Sequence, residues 1–243
     1  MTGTRALGLG KPSAFGERGI TKRLDALGRA AQLSGERLLD IGCGDGAYTR
    51  RLAGGFQRVD AIDIQTDLLD AFRATVVAEP PGVPVAIREM SAERLDYPDG
   101  TFDVVTAIEV LEHIEDLDRA LREVARVLKP GGTFALTTPN RWFPLETHGF
   151  VVRGRRYPPS RGPFLPWIVP LHRRLADARS FTSRGLRGQL TRAGLQPTSV
   201  AYIMPPFDRS RIGQRVSPVT DYLERSRLGF LGMALVVTCR KPT

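Results

Sequence analysis

The chain has 243 residues, 42% of them hydrophobic, and a formal net charge of +9. This length and composition predict one α/β domain, and no apolar run is long enough to cross a bilayer. The two cysteines provide no disulfide framework and the amino terminus lacks an apolar signal sequence, so we expect a cytoplasmic protein. An arginine excess also arises in GC-rich genomes, and no stretch interleaves basic and aromatic residues, so we expect no nucleic-acid partner.

Residues 1–35 are predicted to form a helical cap at the start of the chain. Apolar side chains recur at three- and four-residue spacing over 17–33, which is the pattern of one face of a helix. The residues before this stretch contain several glycines and Pro12, and they predict irregular structure.

A glycine-rich loop follows the first predicted strand. The apolar run at 38–41 leads into Gly42, Gly44 and Gly46, and a helix begins after them. Glycines let backbone amides meet a ligand closely, because no Cβ is in the way. The carboxylate of Asp40, just before the loop, suits a cationic ligand group such as the ammonium of an amino acid.

Asp63 ends the second predicted strand, which covers 58–63. A carboxylate at the carboxyl end of a strand can accept hydrogen bonds from both hydroxyls of a ribose, as in dinucleotide-binding folds. A helix over 66–77, with Thr66 as its N-cap, and a third strand over 85–90 follow. This alternation of strands and helices is typical of an α/β fold.

Glu109, Glu112 and His113 follow the fourth predicted strand, residues 102–108. The strand is apolar enough to be buried on both faces, and Glu109 lies at its carboxyl end, where open α/β sheets bind ligands. Two carboxylates and an imidazole so close in sequence can fall on one side of a strand-to-helix turn.

An insertion at 140–180 interrupts the alternation after a helix over 116–128 and a fifth strand over 133–138. Its many prolines predict irregular structure, and its aromatic side chains argue against disorder, so we predict a substrate lid. Within it, residues 163–174 combine an apolar aromatic run with His172 and two arginines. Peripheral contact with a membrane surface is therefore an alternative role for that stretch.

The remaining elements complete the predicted domain. They are a helix over 182–193 capped by Thr182, a sixth strand over 195–204, a second insertion over 205–229 with a short helix at 219–225, and a final strand over 231–238.

Taken in order, these motifs resemble those of class I S-adenosylmethionine-dependent methyltransferases, most closely the branch of ubiquinone-pathway enzymes. The resemblance covers residues 37–140. The segments that carry it are 39–46, 62–63, 91–93, 102–105, 109–113, 128–132 and 137–140.

The resemblance implies a three-layer, Rossmann-like α/β fold. A seven-stranded sheet would have helices on both faces, and its final strand would insert antiparallel between the fifth and sixth strands. One methyltransferase domain would then span residues 1–243, with lid-like insertions after the fifth and sixth strands. In this family the helix of the N-terminal cap often covers the cofactor and substrate, and packing on the edge of the sheet is the alternative.

The resemblance also implies S-adenosylmethionine as the cofactor. Residues 91–93 stand where the related enzymes hold the adenine, although many of them have Asp at the position of Ser91. The residues expected to bind the cofactor are Asp40, Gly42, Gly44, Gly46, Asp63, Ile64, Ser91, Ala92, Glu93 and Glu109.

Methyl transfer to a hydroxyl requires a base, and an imidazole is suited to that role at neutral pH. His148 follows the fifth strand and His113 the fourth, on the sheet edge where the methyl group should lie, so we assign His148 as the base and His113 as the next candidate. A hydrogen bond from His148 to the lid backbone is the alternative. His172, beside arginines, is expected on the surface.

Some of the resembled enzymes bind a divalent metal through the residue pattern found at 109–113, but the same residues occur in relatives with no reported metal. We therefore assign no metal ligand.

The predicted function is methyl transfer from S-adenosylmethionine to a hydroxyl of a small molecule, such as a natural product, a sugar or a quinol or phenol. The alternatives are a metal-assisted RNA 2′-O-methyltransferase and a non-catalytic S-adenosylmethionine-binding protein. A nicotinamide-dependent oxidoreductase is disfavoured, because its loop has the wider Gly-x-Gly-x-x-Gly spacing.

Overall fold

A seven-stranded sheet forms the centre of the computed structural model, which describes residues 16–206 and 211–243. The strands are β1 (Gly35–Ile41), β2 (Phe56–Asp63), β3 (Val85–Glu89), β4 (Phe102–Ile108), β5 (Leu128–Pro139), β6 (Phe150–Val152), β7 (Arg155–Tyr157), β8 (Gln196–Ile203) and β9 (Ala234–Arg240). The helices are α1 (Gly16–Ala30), α2 (Thr49–Leu52), α3 (Thr66–Ala78), α4 (Leu117–Val127), α5 (Val169–Leu175), α6 (Ser183–Arg192) and α7 (Arg211–Arg225).

The strand order across the sheet is β3-β2-β1-β4-β5-β9-β8. Strand β9 runs antiparallel to both of its neighbours, β5 and β8, whereas the other pairs are parallel. This confirms the predicted Rossmann-like fold, including the antiparallel strand between the fifth and sixth strands of the sheet. Strands β6 and β7 form a separate hairpin within the 140–180 insertion.

Helices cover both faces of the sheet. Successive residues of a strand point to opposite faces, so Leu38 packs in the cluster that includes Leu27 of α1, whereas Leu39 packs with Leu121 of α4 and Leu186 of α6. Val104 and Val105 of β4 likewise belong to the two different clusters, so consecutive apolar residues in these strands serve opposite faces of the sheet.

Two helix boundaries differ from the sequence predictions near the N-terminal half of the sheet. The N-cap of α3 is Gln65 rather than Thr66, because the Asp63 carboxylate accepts the Gln65 N–H and sets the turn that precedes the helix. Helix α1 ends at Ala30 rather than Leu33. It packs beside β8 and β9, and the part of the predicted cap before residue 16 lies outside the described residues.

Three later elements also differ from the predictions. Strand β5 begins at Leu128 rather than 133, because the chain passes directly from α4 into the sheet and Leu128 pairs with Phe102. Strand β9 covers residues 234–240 rather than 231–238. Helix α7 is longer than the predicted 219–225. The prediction began after Pro218 because proline usually breaks a helix, but Pro218 lies inside this helix.

Along the described ranges, no helix is long and apolar enough to span a membrane.

Gly46 allows the glycine-rich loop to pack against α3. Its φ is +81°, and a Cβ atom there would lie 2.2 Å from Phe72 Cδ2. Gly46→Ala should therefore lower the free energy of unfolding by about 2–4 kcal/mol, through overpacking and a left-handed backbone. Urea denaturation measures this loss. Gly54→Ala is the matched control, since no atom lies within 4 Å of its Cβ position, and an equal change in both variants would contradict the packing role of Gly46.

Candidate active site

A cavity of about 470 Å³ lies at the carboxyl ends of β1, β2 and β4. This volume is in the range of small-molecule sites, roughly 300–1,000 Å³. The predicted site residues that line it are Gly42, Gly44, Asp63, Ile64, Ser91, Ala92, Glu93, Glu109, His113 and His148. Asp40 and Gly46, which were also predicted to bind the cofactor, are not among its lining residues.

The first two strand-to-helix loops are joined at one end of the cavity. The backbone N–H of Gly44 donates to Asp63 Oδ2 at 2.9 Å, and that of Gln65 donates to Asp63 Oδ1 at 3.0 Å. Gly42 has a φ of +69°, and a Cβ there would lie 2.3 Å from Val110 Cγ2, so only glycine fits between this loop and the turn after β4. The side chain of Ile64 is exposed beside this loop.

Asp40 is buried and is not among the residues that line the cavity, and its contact with a cationic ligand group stays a prediction. Its buried carboxylate accepts hydrogen bonds from the hydroxyls of Thr49, at 2.6 Å, and Thr106, at 2.7 Å. Burial raises the pKa of Asp40 from 3.8 to about 6, although both hydroxyls oppose the shift. Gly46 packs against α3, because a Cβ there would meet the ring of Phe72, and its expected contact with the cofactor stays a prediction.

The turn after β3 forms the next part of the wall. Ser91 Oγ accepts the Glu93 N–H at 3.2 Å, and Glu93 Oε1 accepts the N–H of Asp116 at 3.0 Å. These bonds fix the turn in place, and the adenine contact of Ser91 and Glu93 stays a prediction.

Glu109 lies at the end of β4 in a left-handed conformation, with φ of 58°. Its Oε1 accepts the Thr137 hydroxyl at 2.9 Å and lies 3.4 Å from Nε of the fully buried Arg23, which α1 supplies. A non-glycine residue held in this conformation persists only where its surroundings fix it, and such residues cluster at functional sites.

Glu112, His113 and His148 come together at the other end of the cavity, and ligand-type atoms of the three lie within 4.8 Å of one another. The fully buried Glu112 places Oε1 3.5 Å from His148 Nε2, and its Oε2 accepts the Thr138 hydroxyl at 3.3 Å. The rings of His113 and His148 meet edge to face. The structure thus brings both predicted catalytic histidines to one place.

Burial controls the protonation of this cluster. It raises the pKa of Glu112 well above its ordinary value, and the nearby charge of Glu109 acts in the same direction. Burial also lowers the pKa of His148, so its imidazole is neutral at physiological pH and can accept a proton. His148 Nδ1 lies 2.9 Å from the hydroxyl of Thr147, which also lines the cavity.

His172 is buried, which corrects its expected surface position. Its Nε2 lies 3.0 Å from Glu146 Oε2, because α5 turns this side chain inward while its arginines face outward. Burial alone would raise the pKa of Glu146, but the hydrogen bond and charge of His172 and the backbone N–H groups of His148 and Thr147 bring it below its ordinary value.

Sequence reasoning missed Arg23, Thr137 and Thr138 as neighbours of the two glutamates. The threonines end the fifth strand at the ligand-binding edge, so their position was a usable signal. The sequence contained no signal for the contact of Arg23 with Glu109, because Glu109 lies 86 residues further along the chain.

Comparison with known proteins identifies the family of this site. A methyltransferase domain model matches residues 39–136. A ubiquinone biosynthesis O-methyltransferase from Xanthomonas euvesicatoria pv. vesicatoria is 32% identical over 200 residues, which cover 79% of this chain and 77% of that protein. The chain belongs to the S-adenosylmethionine-dependent methyltransferases.

Further relatives agree with this membership. A protein of the same name from Methylococcus capsulatus is 36% identical over 136 residues, but the match spans only 56% of its length. The crystal structure of an S-adenosylmethionine-dependent methyltransferase from Mesorhizobium loti has a TM-score of 0.62 and 24% identity, and the match covers 89% of this chain and 96% of that one. The methyltransferase therefore uses S-adenosylmethionine as its cofactor, while the roles of individual residues stay predictions.

The buried carboxylate of Asp40 should make stability depend on pH. Because its folded-state pKa of about 6 exceeds 3.8, its stabilising contribution is complete below pH 3.8 and is lost as the pH rises through about 6. We expect Asp40→Asn to stabilise the protein by about 3 kcal/mol near pH 8 and by roughly half of that near pH 5. Urea denaturation at both pH values measures the difference, and a gain independent of pH would contradict the raised pKa.

Proposed function

We propose that this methyltransferase transfers the methyl group of S-adenosylmethionine to a hydroxyl of a quinol- or phenol-type small molecule. The observation that carries the proposal is one continuous cavity whose lining includes both the glycine-rich loop with Asp63 and the neutral imidazole of His148. Relatives named as ubiquinone biosynthesis O-methyltransferases support an oxygen acceptor of this kind.

The proposed mechanism is an in-line displacement at the methyl carbon. The acceptor oxygen forms a bond to that carbon as the carbon–sulfur bond breaks, and the sulfonium becomes a neutral thioether. Alignment of the reacting atoms at roughly 3–3.5 Å supplies much of the rate acceleration. His148 takes the proton that the acceptor hydroxyl loses, and Glu112 Oε1, 3.5 Å from Nε2, helps to orient the imidazole.

A metal-assisted version of the same reaction is a second candidate. It is favoured by the cluster of Glu112, His113 and His148, because one carboxylate and two imidazoles form a donor set that suits a divalent transition metal. These three residues would hold the ion, which would supply Lewis-acid activation of the acceptor hydroxyl.

Substitution of His148 tests the proposed function. With a catechol such as caffeic acid as acceptor, His148→Ala should lower kcat at least about a hundredfold, because the base is lost. The Kd for S-adenosylmethionine, from calorimetry, should change less than about twofold, because His148 is at the acceptor end. Formation of S-adenosylhomocysteine measures turnover, and an unchanged kcat would remove His148 from the mechanism.

Dialysis against EDTA separates the two versions in the same assay. A proton-transfer role for His148 requires that chelation leaves the rate unchanged and that His113→Ala is milder than His148→Ala. Loss of activity on chelation, restored by a divalent metal, together with equal losses in both variants, would establish the metal-assisted version instead.

We also propose that residues 163–174 contact an anionic membrane surface. Phe164, Trp167 and Ile168 expose 52%, 45% and 53% of their surface, and Arg173 lies exposed on the adjoining α5. Aromatic side chains beside arginines suit the interface of an anionic bilayer. A cytoplasmic enzyme with such a contact could meet a lipophilic acceptor at the membrane.

Vesicle binding tests this contact. Trp167→Ser should weaken co-sedimentation with phosphatidylglycerol vesicles about tenfold, because a large apolar side chain no longer enters the interface. Val77→Ser, at an exposed apolar position on α3, is the matched control. Equal binding of the wild type to phosphatidylcholine vesicles, or equal losses in both variants, would contradict the proposal.

A further inference from the structure

A buried carboxylate–imidazole pair lies beside the cavity without lining it. Glu146 and His172 are only 4% and 5% exposed, and Glu146 Oε2 lies 3.0 Å from His172 Nε2. Glu146 belongs to the loop after β5, whereas His172 belongs to α5 of the 140–180 insertion. Neither residue takes part in the reaction proposed above, so the burial of two polar side chains here calls for another explanation.

The second oxygen of Glu146 is bonded to the turn that carries the proposed base. Glu146 Oε1 accepts the backbone N–H of Thr147 at 2.9 Å and that of His148 at 3.1 Å. The side chains of both residues line the cavity, and they contact each other through the Thr147 hydroxyl and His148 Nδ1. One carboxylate therefore fixes the backbone from which the imidazole reaches the acceptor end of the cavity.

We propose that Glu146 and His172 are positioning residues that orient His148 toward the acceptor hydroxyl. This inference rests on the proposed function of His148. His172 fixes the Glu146 carboxylate from one side, and the carboxylate fixes the His148 turn from the other. The orientation of the base thus depends on α5, an element outside the sheet.

Other links hold α5 in place without this pair. The Asp177 N–H donates to the Gly149 carbonyl at 3.2 Å, and Phe150 and Ala176 form an antiparallel bridge. Variants of His172 should therefore fold, and their defect should concern the geometry of the His148 turn rather than attachment of the insertion.

The test compares His172→Phe with His172→Gln. The phenylalanine removes the 3.0 Å contact of the imidazole with Glu146 Oε2. We expect kcat with caffeic acid to fall between about tenfold and a hundredfold, because small misplacements of a catalytic group have effects of that size. The Kd for S-adenosylmethionine and the melting temperature should stay near wild type. The glutamine amide can donate to the same oxygen, so His172→Gln should recover most of kcat.

A double variant shows whether His172 acts through His148. If it does, His148→Ala combined with His172→Phe should be no slower than His148→Ala alone, whereas a general structural defect would lower the rate by the same factor in both backgrounds. Arg73→Gln, which breaks an exposed ion pair with Asp70, is the control for loss of a pair far from the site.

Hydrogen exchange provides a readout that does not depend on activity. The Thr147 and His148 amides should exchange faster in His172→Phe than in the wild type, and Arg73→Gln should leave them unchanged. Unchanged exchange and kcat in His172→Phe, with a large loss in His148→Ala, would overturn the positioning role alone. An unaffected kcat in His148→Ala would overturn the proposed base, and the positioning role with it.

Discussion

The carboxylate of Asp63 ties together the two strand-to-helix loops at one end of the cavity. One of its oxygens holds Gly44 in the loop after β1, and the other holds Gln65 in the loop after β2. Because parallel strands end at the same edge, the turns after β3 and β4 then fall beside these loops. The cavity follows from this alignment, since each turn supplies part of its wall.

The two ends of the cavity differ in their physical character. The glycine-rich loop, Asp63 and the exposed Ile64 line one end, whereas Glu109 and the imidazoles of His113 and His148 line the other. Buried charges require partners, and here they come from Arg23 and from threonine hydroxyls at the end of β5. Burial keeps the His148 imidazole neutral, which suits proton abstraction from an acceptor rather than binding of an anion.

Local pattern predicted the alternation of strands and helices, the glycine-rich loop and the placement of His113 and His148 at one edge, whereas the antiparallel final strand was implied by the family resemblance. The sequence did not predict the contacts and burial of side chains whose partners lie in distant parts of the chain. The hydrogen bonds of Asp40 to Thr49 and Thr106 were not predictable from the local pattern, because other elements supply both partners. His172 lies among arginines in the sequence, yet its burial depends on a glutamate in another part of the insertion. The beginning of α7 was not predicted, because Pro218 is a local helix breaker that the surrounding structure overrides.

The position of β9 has a consequence for how the chain is assembled during translation. Strand β8 lies at the edge of the sheet and pairs with β9, which separates it from β5. A nascent chain that ends before residue 234 can pair β1 to β5 on the ribosome, but β8 then has no neighbour to join. The strands that carry the glycine-rich loop and Asp63 can therefore form early, whereas the β8 edge of the sheet forms only after β9 has emerged.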